Sequence, residues 1–317
     1  MENKNRTPER AAIHSIDHFA LNVPSIDEAE RFFRAFGLDV RHAGAADCER
    51  ELYAGDKHRW ARVLPANGKS LAYLSLSCFI ADLPALIVQV RAAGGDFEFD
   101  LPACDQEGFW FYDPDRNLIQ IKAGPKTSPS SKSAVIFKQA PPGRRGAHPR
   151  SEVKNVRPRR LSHVLLFTPD VLRAVEFYEQ ALGLRLSDRS EDIIAFTHAP
   201  HGSDHHLIAF AKSHAKGWHH CSWDVASFDE VGLGARQMTA AGYTRGWGAG
   251  RHVLGSNYFH YVQDPWGSFS EYSADIDFVA AGSDWIAGNF PPDDSLFLWG
   301  PNVPDYFTTN TDLLEGT

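Results

Sequence analysis

The chain has no run of about 18 uninterrupted apolar residues, the length that a membrane-spanning helix requires. Its first ten residues are charged and lead into no apolar segment, so we expect neither a bilayer anchor nor a secretory signal. Only 4 cysteines occur, without paired spacing, which excludes a disulfide-rich scaffold and favours reduced thiols in the cytoplasm. A net charge of −8 argues against nucleic acid as a partner. The 43% hydrophobic content excludes wholesale disorder, and 317 residues predict two domains.

Positive charge is concentrated between residues 122 and 160, which hold eleven Lys or Arg residues, one acidic residue and six prolines. Such a segment is compatible with a nucleic-acid-binding arm. We favour an interdomain connector that lies over acidic surfaces, because proline and serine do not supply a packed core. The sequence therefore predicts domains over 1–121 and 161–281, a connector over 122–160 and a tail over 282–317. The aromatic-rich tail is expected to cover a site or to contact another subunit.

The sequence before the connector is repeated after it. Ile16-Asp-His18 corresponds to Leu161-Ser-His163, and both are followed by a helical stretch that ends in Gly-Leu. The offset is 145 residues at the two histidines and 151 residues at the Asp-Pro pairs that begin at Asp113 and Asp264. A slowly growing offset indicates a duplicated fold with small loop insertions.

Each half of the chain is itself predicted to contain two similar modules. Capping boxes at Ser25 and Ser227 predict helix starts, a third helix is expected to follow Asp82, and Pro169 is expected in the first turn of a fourth helix behind Thr168. Short apolar runs between these helices indicate strands. The resulting strand–helix–strand–strand–strand rhythm occurs about four times. We predict an α+β fold in which pairs of such modules close into two open barrels with the helices outside.

Ten of the 15 histidines follow the connector. His163 and His220 each lie on the first strand of a module, and Glu271 lies on a closing strand six residues after Pro265. Each residue alone is more often a satisfied core histidine or a surface carboxylate. Two imidazoles and one carboxylate that converge from three strands are instead typical of a facial triad, which leaves coordination positions open on Fe(II).

The first half of the chain provides an internal comparison. His18 matches His163, but the counterpart of Glu271 is Gln120. No histidine occurs between His58 and His148, so the second imidazole, expected near Ala72, is missing. We predict that the N-terminal half kept the fold and does not bind the metal.

Residues 14 to 280 resemble the type I extradiol ring-cleaving dioxygenases of the vicinal oxygen chelate superfamily. Four motifs carry the resemblance: Leu161-Ser-His163; His205-His206-Leu-Ile-Ala-Phe; Gly217-Trp-His-His220; and Gly250-Arg-His252, which is followed by Tyr261 and by Asp264-Pro-Trp-Gly267 up to Glu271-Tyr272. By this resemblance His163, His220 and Glu271 are the ligands of Fe(II), with Mn(II) as the alternative. His206, His252 and Tyr261 match the catalytic trio of the family, and no further cofactor is implied. A histidine with a near-neutral pKa suits proton donation, which favours His206 for that role.

The resemblance implies an oxidoreductase that opens a catechol-like ring beside its two hydroxyls and incorporates both atoms of O2. The connector and tail are most similar to the group of metapyrocatechase II and 2,4,5-trihydroxytoluene oxygenase, which implies degradation of substituted monocyclic aromatics by a homo-oligomer. Two alternatives share the fold. A glyoxalase-like lyase needs a carboxylate where His220 stands, and a binding protein of the bleomycin-resistance type lacks the ligand set. Seven further residues are candidates for lining the site or for packing: His201, Asp204, His205, Trp218, His219, Trp247 and His260.

Overall fold

The computed structural model describes residues 10–44, 47–99, 107–137 and 139–313. Cys104, one of the thiols noted above, lies outside these ranges. The first half forms a sheet of eight strands: β1 Ile13–Val23, β2 Asp39–Ala43, β3 Glu49–Tyr53, β4 Arg59–Pro65, β5 Ser70–Cys78, β6 Asp96–Glu98, β7 Phe109–Tyr112 and β8 Leu118–Ala123. Its two helices are α1 Ile26–Phe36 and α2 Leu83–Ala92.

The second half repeats this arrangement. Its sheet has nine strands: β9 Arg160–Thr168, β10 Arg185–Ser190, β11 Ile194–His198, β13 Ile208–Lys212, β14 Gly217–Asp224, β15 Gly246–Arg251, β16 Tyr258–Gln263, β17 Phe269–Ala274 and the tail strand β19 Gly288–Asn289. Two short strands, β12 Ser203–Asp204 and β18 Phe278–Val279, pair with each other. The helices are α3 Val171–Leu182 and α4 Phe228–Ala240.

The predicted modules are confirmed. Each begins with a long strand and a helix and continues with three strands, starting at β1, β5, β9 and β14. The sheet orders are β2-β3-β4-β1-β5-β8-β7-β6 and β15-β16-β17-β14-β9-β13-β11-β10-β19. In each half the first strands of two modules pair antiparallel at the centre of the sheet, so their side chains face a shared interior. This is the α+β vicinal oxygen chelate fold.

The two halves pack through their helices, α1 against α4 and α2 against α3. Phe36 stacks on Tyr272 with ring centroids 3.9 Å apart, and the Tyr272 hydroxyl donates to the Phe36 carbonyl. Gly37 ends α1 at φ 102°, where a Cβ atom would lie 2.1 Å from the carbonyl oxygen of Val156. The turn therefore requires glycine for both its left-handed backbone and the close approach of the connector.

Three of the four predicted helix starts agree with the structure, and one prediction was wrong. The Ser25 and Ser227 side chains accept from the backbone N–H groups of Glu28 and Glu230. Helix α3 does not begin behind Thr168 with Pro169 in its first turn. Its N-cap is Asp170, because this carboxylate accepts from the N–H of Arg173, while the Thr168 hydroxyl accepts from the N–H of Asp170 and donates to Asp115.

The described residues between β8 and β9 contain one 3-10 helix, Arg150–Glu152, and otherwise irregular backbone. Basic side chains of this connector form ion pairs with acidic side chains in the second half of the chain. Lys132 contacts Asp275 at 2.8 Å, and Arg159 contacts the buried Asp224 at 2.7 Å. The tail beyond β18 adds 3-10 helices at Pro292–Asp294, Asp305–Thr308 and Thr311–Leu313.

Candidate active site

The three residues predicted as metal ligands lie together on adjacent central strands of the second sheet. His163 is on β9 and Glu271 on β17, and both stand opposite Ser222 of the intervening strand β14. His220 lies two residues before Ser222 on β14, so its side chain faces the same interior. All three are buried, and their ligating atoms lie within 4.8 Å of one another. Nε2 of His163 is 3.3 Å from Oε2 of Glu271.

The donor atoms of this cluster fit a divalent cation. Nε2 of His220 and Oε2 of Glu271 are buried and have no hydrogen-bond partner. Such orphaned polar atoms are costly in a protein interior unless a ligand satisfies them. Burial lowers the pKa of His220 well below its usual value, so the imidazole is neutral and carries a lone pair. Burial raises the pKa of Glu271, but the neighbouring imidazoles of His163 and His252 outweigh this and lower it overall, so the group is a carboxylate.

Neighbouring groups fix the tautomers of the two imidazoles. Nε2 of His219 donates to the Phe307 carbonyl at 2.8 Å, so its Nδ1 accepts from Nδ1 of His220 at 2.6 Å. The Ser162 hydroxyl donates to Asp204 at 2.6 Å and lies 3.3 Å from Nδ1 of His163. Each ligand histidine therefore has a partner at Nδ1 and presents Nε2 to the cluster, as metal-binding histidines do.

The predicted catalytic trio lines the cavity above this cluster. The rings of His206 and His163 have centroids 3.9 Å apart. Nδ1 of His252 donates to the Leu296 carbonyl at 2.7 Å, so its Nε2 accepts from the Tyr261 hydroxyl at 3.0 Å. Burial, reinforced by the charge of Glu271, raises the pKa of Tyr261 well above its usual value, so the phenol stays protonated. The trio thus consists of the His206 imidazole and the hydrogen-bonded pair of His252 and Tyr261, and all three residues line the cavity.

Asn257 is a site residue that the motif analysis missed. Its amide nitrogen donates to Oε1 of Glu271 and to the Ser273 hydroxyl, both at 3.0 Å. The residue is fully buried. It holds the carboxylate so that Oε2 faces the two imidazoles. The signal in the sequence was its place five residues after His252.

The cavity has a volume of about 390 Å³ and is mostly apolar. Its walls include Leu165, Phe167, Ile193, Ile194, Phe196, Leu254, Pro292, Leu296 and Phe307. Three of these residues belong to the tail, which therefore forms part of the wall. Lys212, at the cavity edge, forms an ion pair with Asp192.

The other seven candidates divide between the site and the frame around it. His219 lines the cavity, His205 lies behind His206, and Trp247 stacks under Tyr261 at 5.6 Å. Asp204 accepts from Ser162 and Arg160, and so supports His163 from behind. The remaining three, Trp218, His201 and His260, pack elsewhere: against Phe19, against Phe79 and beside the Gly248 backbone.

In the first half, the register identifies the counterparts of the site residues. Gln120 stands opposite Ser75, as Glu271 stands opposite Ser222, so it is the counterpart of the carboxylate. The second imidazole, expected near Ala72, is replaced by Tyr73. Tyr73 pairs with Ala20, two residues after His18, as His220 pairs with Leu165, two residues after His163. The Tyr73 hydroxyl lies 3.0 Å from Nε2 of His18 and occupies that nitrogen. Among the described residues, the second half alone has a His, Cys, Asp or Glu cluster fit for a metal.

Comparison with known proteins identifies the family. Metapyrocatechase 2 of Cupriavidus necator is 61% identical over 303 residues, which cover 96% of this chain and 94% of that protein. The chain belongs to the extradiol ring-cleaving dioxygenases. A profile of the Glyoxalase/Bleomycin resistance protein/Dioxygenase superfamily matches residues 160–272 of this dioxygenase, the half that contains the cluster.

Solved structures share the fold of this dioxygenase. A Mn(II)-bound glyoxalase from Novosphingobium aromaticivorans superposes with a TM-score of 0.74 at 24% identity, over 93% of this chain and 94% of that one. An extradiol ring-cleaving dioxygenase from B. fuscum superposes with a TM-score of 0.74 at 17% identity, over 97% and 85%. Within the described residues, no helix is both long and apolar enough to cross a bilayer. The protein is thus a ring-cleaving, metal-dependent dioxygenase of the vicinal oxygen chelate fold.

Proposed function

We propose that this dioxygenase uses Fe(II), bound by His163, His220 and Glu271, to open a monocyclic catechol that carries small apolar substituents. The observation that carries the proposal is the convergence of two Nε2 atoms and one carboxylate oxygen, two of them without hydrogen-bond partners, at the base of an apolar cavity. Bound Fe(II) would supply chelation of both substrate oxygens and an open position for O2. The same donor set also suits Mn(II), so the metal itself needs measurement.

The members of the catalytic trio have separate roles toward the substrate ring. The Tyr261 hydroxyl and His252 form one hydrogen-bonded pair beside Oε1 of Glu271, which is 3.8 Å from Nε2 of His252. We assign to this pair the orientation of a substrate oxygen and the stabilisation of charge that develops on it. His206, on another side of the cavity, holds and returns a proton at Nε2. The near-neutral pKa expected for His206 is not found, because burial, and then the charge of neighbouring histidines, lowers it well below the usual value. His206 therefore starts as a neutral base.

The cavity supports a small, uncharged substrate. Its volume of about 390 Å³ lies near the lower end of the roughly 300–1,000 Å³ typical of ligand pockets. That size favours one ring with small substituents over a biaryl. The charge of Lys212 is neutralised by Asp192, and the cavity wall is otherwise mostly apolar. A carboxylated catechol would therefore bury its charge without a counterion, which is costly.

The test measures oxygen uptake and absorption spectra of protein loaded anaerobically with Fe(II) or Mn(II). The panel contains catechol, 3-methylcatechol, 4-methylcatechol, a trihydroxytoluene, protocatechuate and 2,3-dihydroxybiphenyl. We expect a yellow product, stoichiometric O2 uptake and both atoms of ¹⁸O2 in the product. Methylcatechols should exceed protocatechuate in kcat/KM by at least about 100-fold.

Two results would contradict this proposal. Equal or better turnover of the carboxylated substrate would refute the apolar substrate class. Absence of uptake across the whole panel, in protein that holds one metal per chain, would refute catechol cleavage and favour a lyase or binding protein on the same fold.

We also propose that the enzyme is a cytoplasmic homo-oligomer. Exposed aromatic and aliphatic side chains on the second half, including Phe228, Leu298 and Trp299, support association. The buried Cys78 and Cys221 are thiols whose pKa values burial raises to about 11 and about 12, which suits a reducing compartment. Light scattering after gel filtration measures the mass, and a mass of 35.3 kDa would refute the oligomer.

A further inference from the structure

A second histidine lies directly behind His206. His205 is fully buried, and its Nδ1 is 3.0 Å from Nδ1 of His206. Its Nε2 is 2.8 Å from Oδ2 of Asp188 on β10. The three side chains form a continuous chain of hydrogen bonds from a buried carboxylate to the cavity, and the sequence motif alone did not indicate that His205 has a specific partner.

The direction of each hydrogen bond follows from the carboxylate. Oδ1 of Asp188 accepts from the backbone N–H of Gly288 at 2.6 Å, and Oδ2 faces Nε2 of His205. A carboxylate only accepts, so Nε2 of His205 carries the proton. When the His205 ring carries only this proton, its lone pair is on Nδ1, which accepts from Nδ1–H of His206 at 3.0 Å. His206 is left with its lone pair on Nε2, the atom directed to the cavity.

The surroundings hold this arrangement in one geometry. The His205 backbone N–H donates to the Asp277 carbonyl at 2.7 Å, and the Trp285 ring lies 5.3 Å from its imidazole. The Trp285 indole N–H donates to the Ser187 carbonyl at 2.9 Å, next to Asp188. Both Trp285 and Gly288 come from the C-terminal tail, so the tail fixes the carboxylate and covers the outer imidazole.

We propose that Asp188 and His205 are positioning residues that fix His206 as its Nδ1–H tautomer, with Nε2 unprotonated toward the substrate. The inference rests on the proposed role of His206 for its catalytic consequence, but the tautomer is a property of the protein alone. It follows the same logic as a buried aspartate that orients a catalytic imidazole, extended by one further ring.

Asp188→Asn provides the decisive perturbation. The amide oxygen must remain on the side of the Gly288 N–H, so the amide NH2 faces Nε2 of His205. His205 then accepts at Nε2 and donates from Nδ1, which forces His206 to accept at Nδ1 and to carry its proton on Nε2. The substitution leaves the side-chain volume almost unchanged but reverses both hydrogen bonds that link residue 188, His205 and His206.

The first measurement is long-range ¹H–¹⁵N NMR of the histidine rings in metal-free protein, assigned with His205→Asn and His206→Asn. We expect His206 to carry its proton on Nδ1 in the wild type and on Nε2 in Asp188→Asn. A wild-type His206 protonated on Nε2, or no change in the variant, would overturn the proposal whatever the activity.

The second measurement is steady-state kinetics of Fe(II)-loaded protein. Asp188→Asn should lose about 10²–10⁴-fold in kcat, with KM within threefold and full metal content. His205→Asn should retain most activity, because its side-chain oxygen lies near the position of Nδ1 and still accepts from His206. In the double variant, Asp188→Asn should add little to the effect of His205→Asn, because residue 188 changes the tautomer of His206 only through the His205 ring.

Asp113→Asn is the matched control. Asp113 is a buried carboxylate that accepts backbone N–H bonds in the first half of the chain and does not line the cavity. It should lose stability but keep kcat. Equal kcat losses in the two Asp→Asn variants, or additive losses in the double variant, would overturn the relay. Wild-type turnover of His206→Asn would instead refute the proposed function of His206 and leave the NMR result to decide the tautomer.

Discussion

Asn257→Ala tests whether the carboxylate ligand depends on a residue that is itself no ligand. In the wild type the Asn257 amide donates to Oε1 of Glu271 and to the Ser273 hydroxyl, both at 3.0 Å. Its removal frees the carboxylate to rotate and leaves a buried charge with one donor fewer. Loss of such a supporting partner typically lowers metal affinity by 10–100-fold, or about 1.4–2.8 kcal/mol. A hydrogen bond to a charged group is also worth about 1.5–3 kcal/mol of stability.

The assay is anaerobic competition for Fe(II) against a chromophoric chelator, together with urea denaturation of the metal-free protein. Asn117→Ala is the matched control, because Asn117 is also buried and donates its amide to the Asp113 carboxylate at 2.9 Å. The control should lose stability and keep its metal affinity. Fe(II) affinity of Asn257→Ala within twofold of wild type, or an equal loss in the control, would refute the reasoning.

Four further predictions follow from the same geometry. Glu271→Gln should abolish stoichiometric Fe(II) binding, and retained metal by elemental analysis would disprove its role as ligand. His206→Asn should keep metal and substrate binding while kcat falls by about 10²–10⁴-fold; unchanged turnover would remove it from the mechanism. Gln120→Glu should create no second site by metal titration, because Tyr73 occupies the position of an imidazole. Burial lowers the pKa of His198 to about 4, so the unfolded chain binds its proton first as the pH falls. This group alone should lower the free energy of unfolding of the metal-free protein by up to about 1.4 kcal/mol per pH unit between pH 6.5 and 4, so His198→Gln should show a shallower slope than wild type in urea denaturation.

Internal repetition made much of the fold and site predictable. Strands and helices recur at similar spacing, so the positions of His163 and Glu271 can be aligned with those of His18 and Gln120 without any second sequence. The register of the strands agrees with both pairings.

Two details show where such an alignment stops. The second imidazole was expected near Ala72, and its counterpart is Tyr73, because the offset between the two halves is 147 residues at this pair. Loop lengths set this offset, and the residue types do not mark where each insertion lies. Helix α3 begins at Val171 behind the N-cap Asp170, because the Asp170 carboxylate accepts from the Arg173 N–H. Thr168 instead donates to Asp115 of the other half, a contact between distant residues.

The sequence by itself determined the residue types, the module repeat and the elements that carry each predicted ligand, because these depend on local patterns and spacing. Tertiary structure alone decided which atoms face the cavity. Asn257, Phe307 and Asp188 act through contacts with residues 14 to 88 positions away, and the tail closes the wall from the far end of the chain. Hydrogen-bond direction and imidazole tautomer depend on those partners. Local sequence therefore identifies the histidines, while the folded chain determines what each ring nitrogen can do.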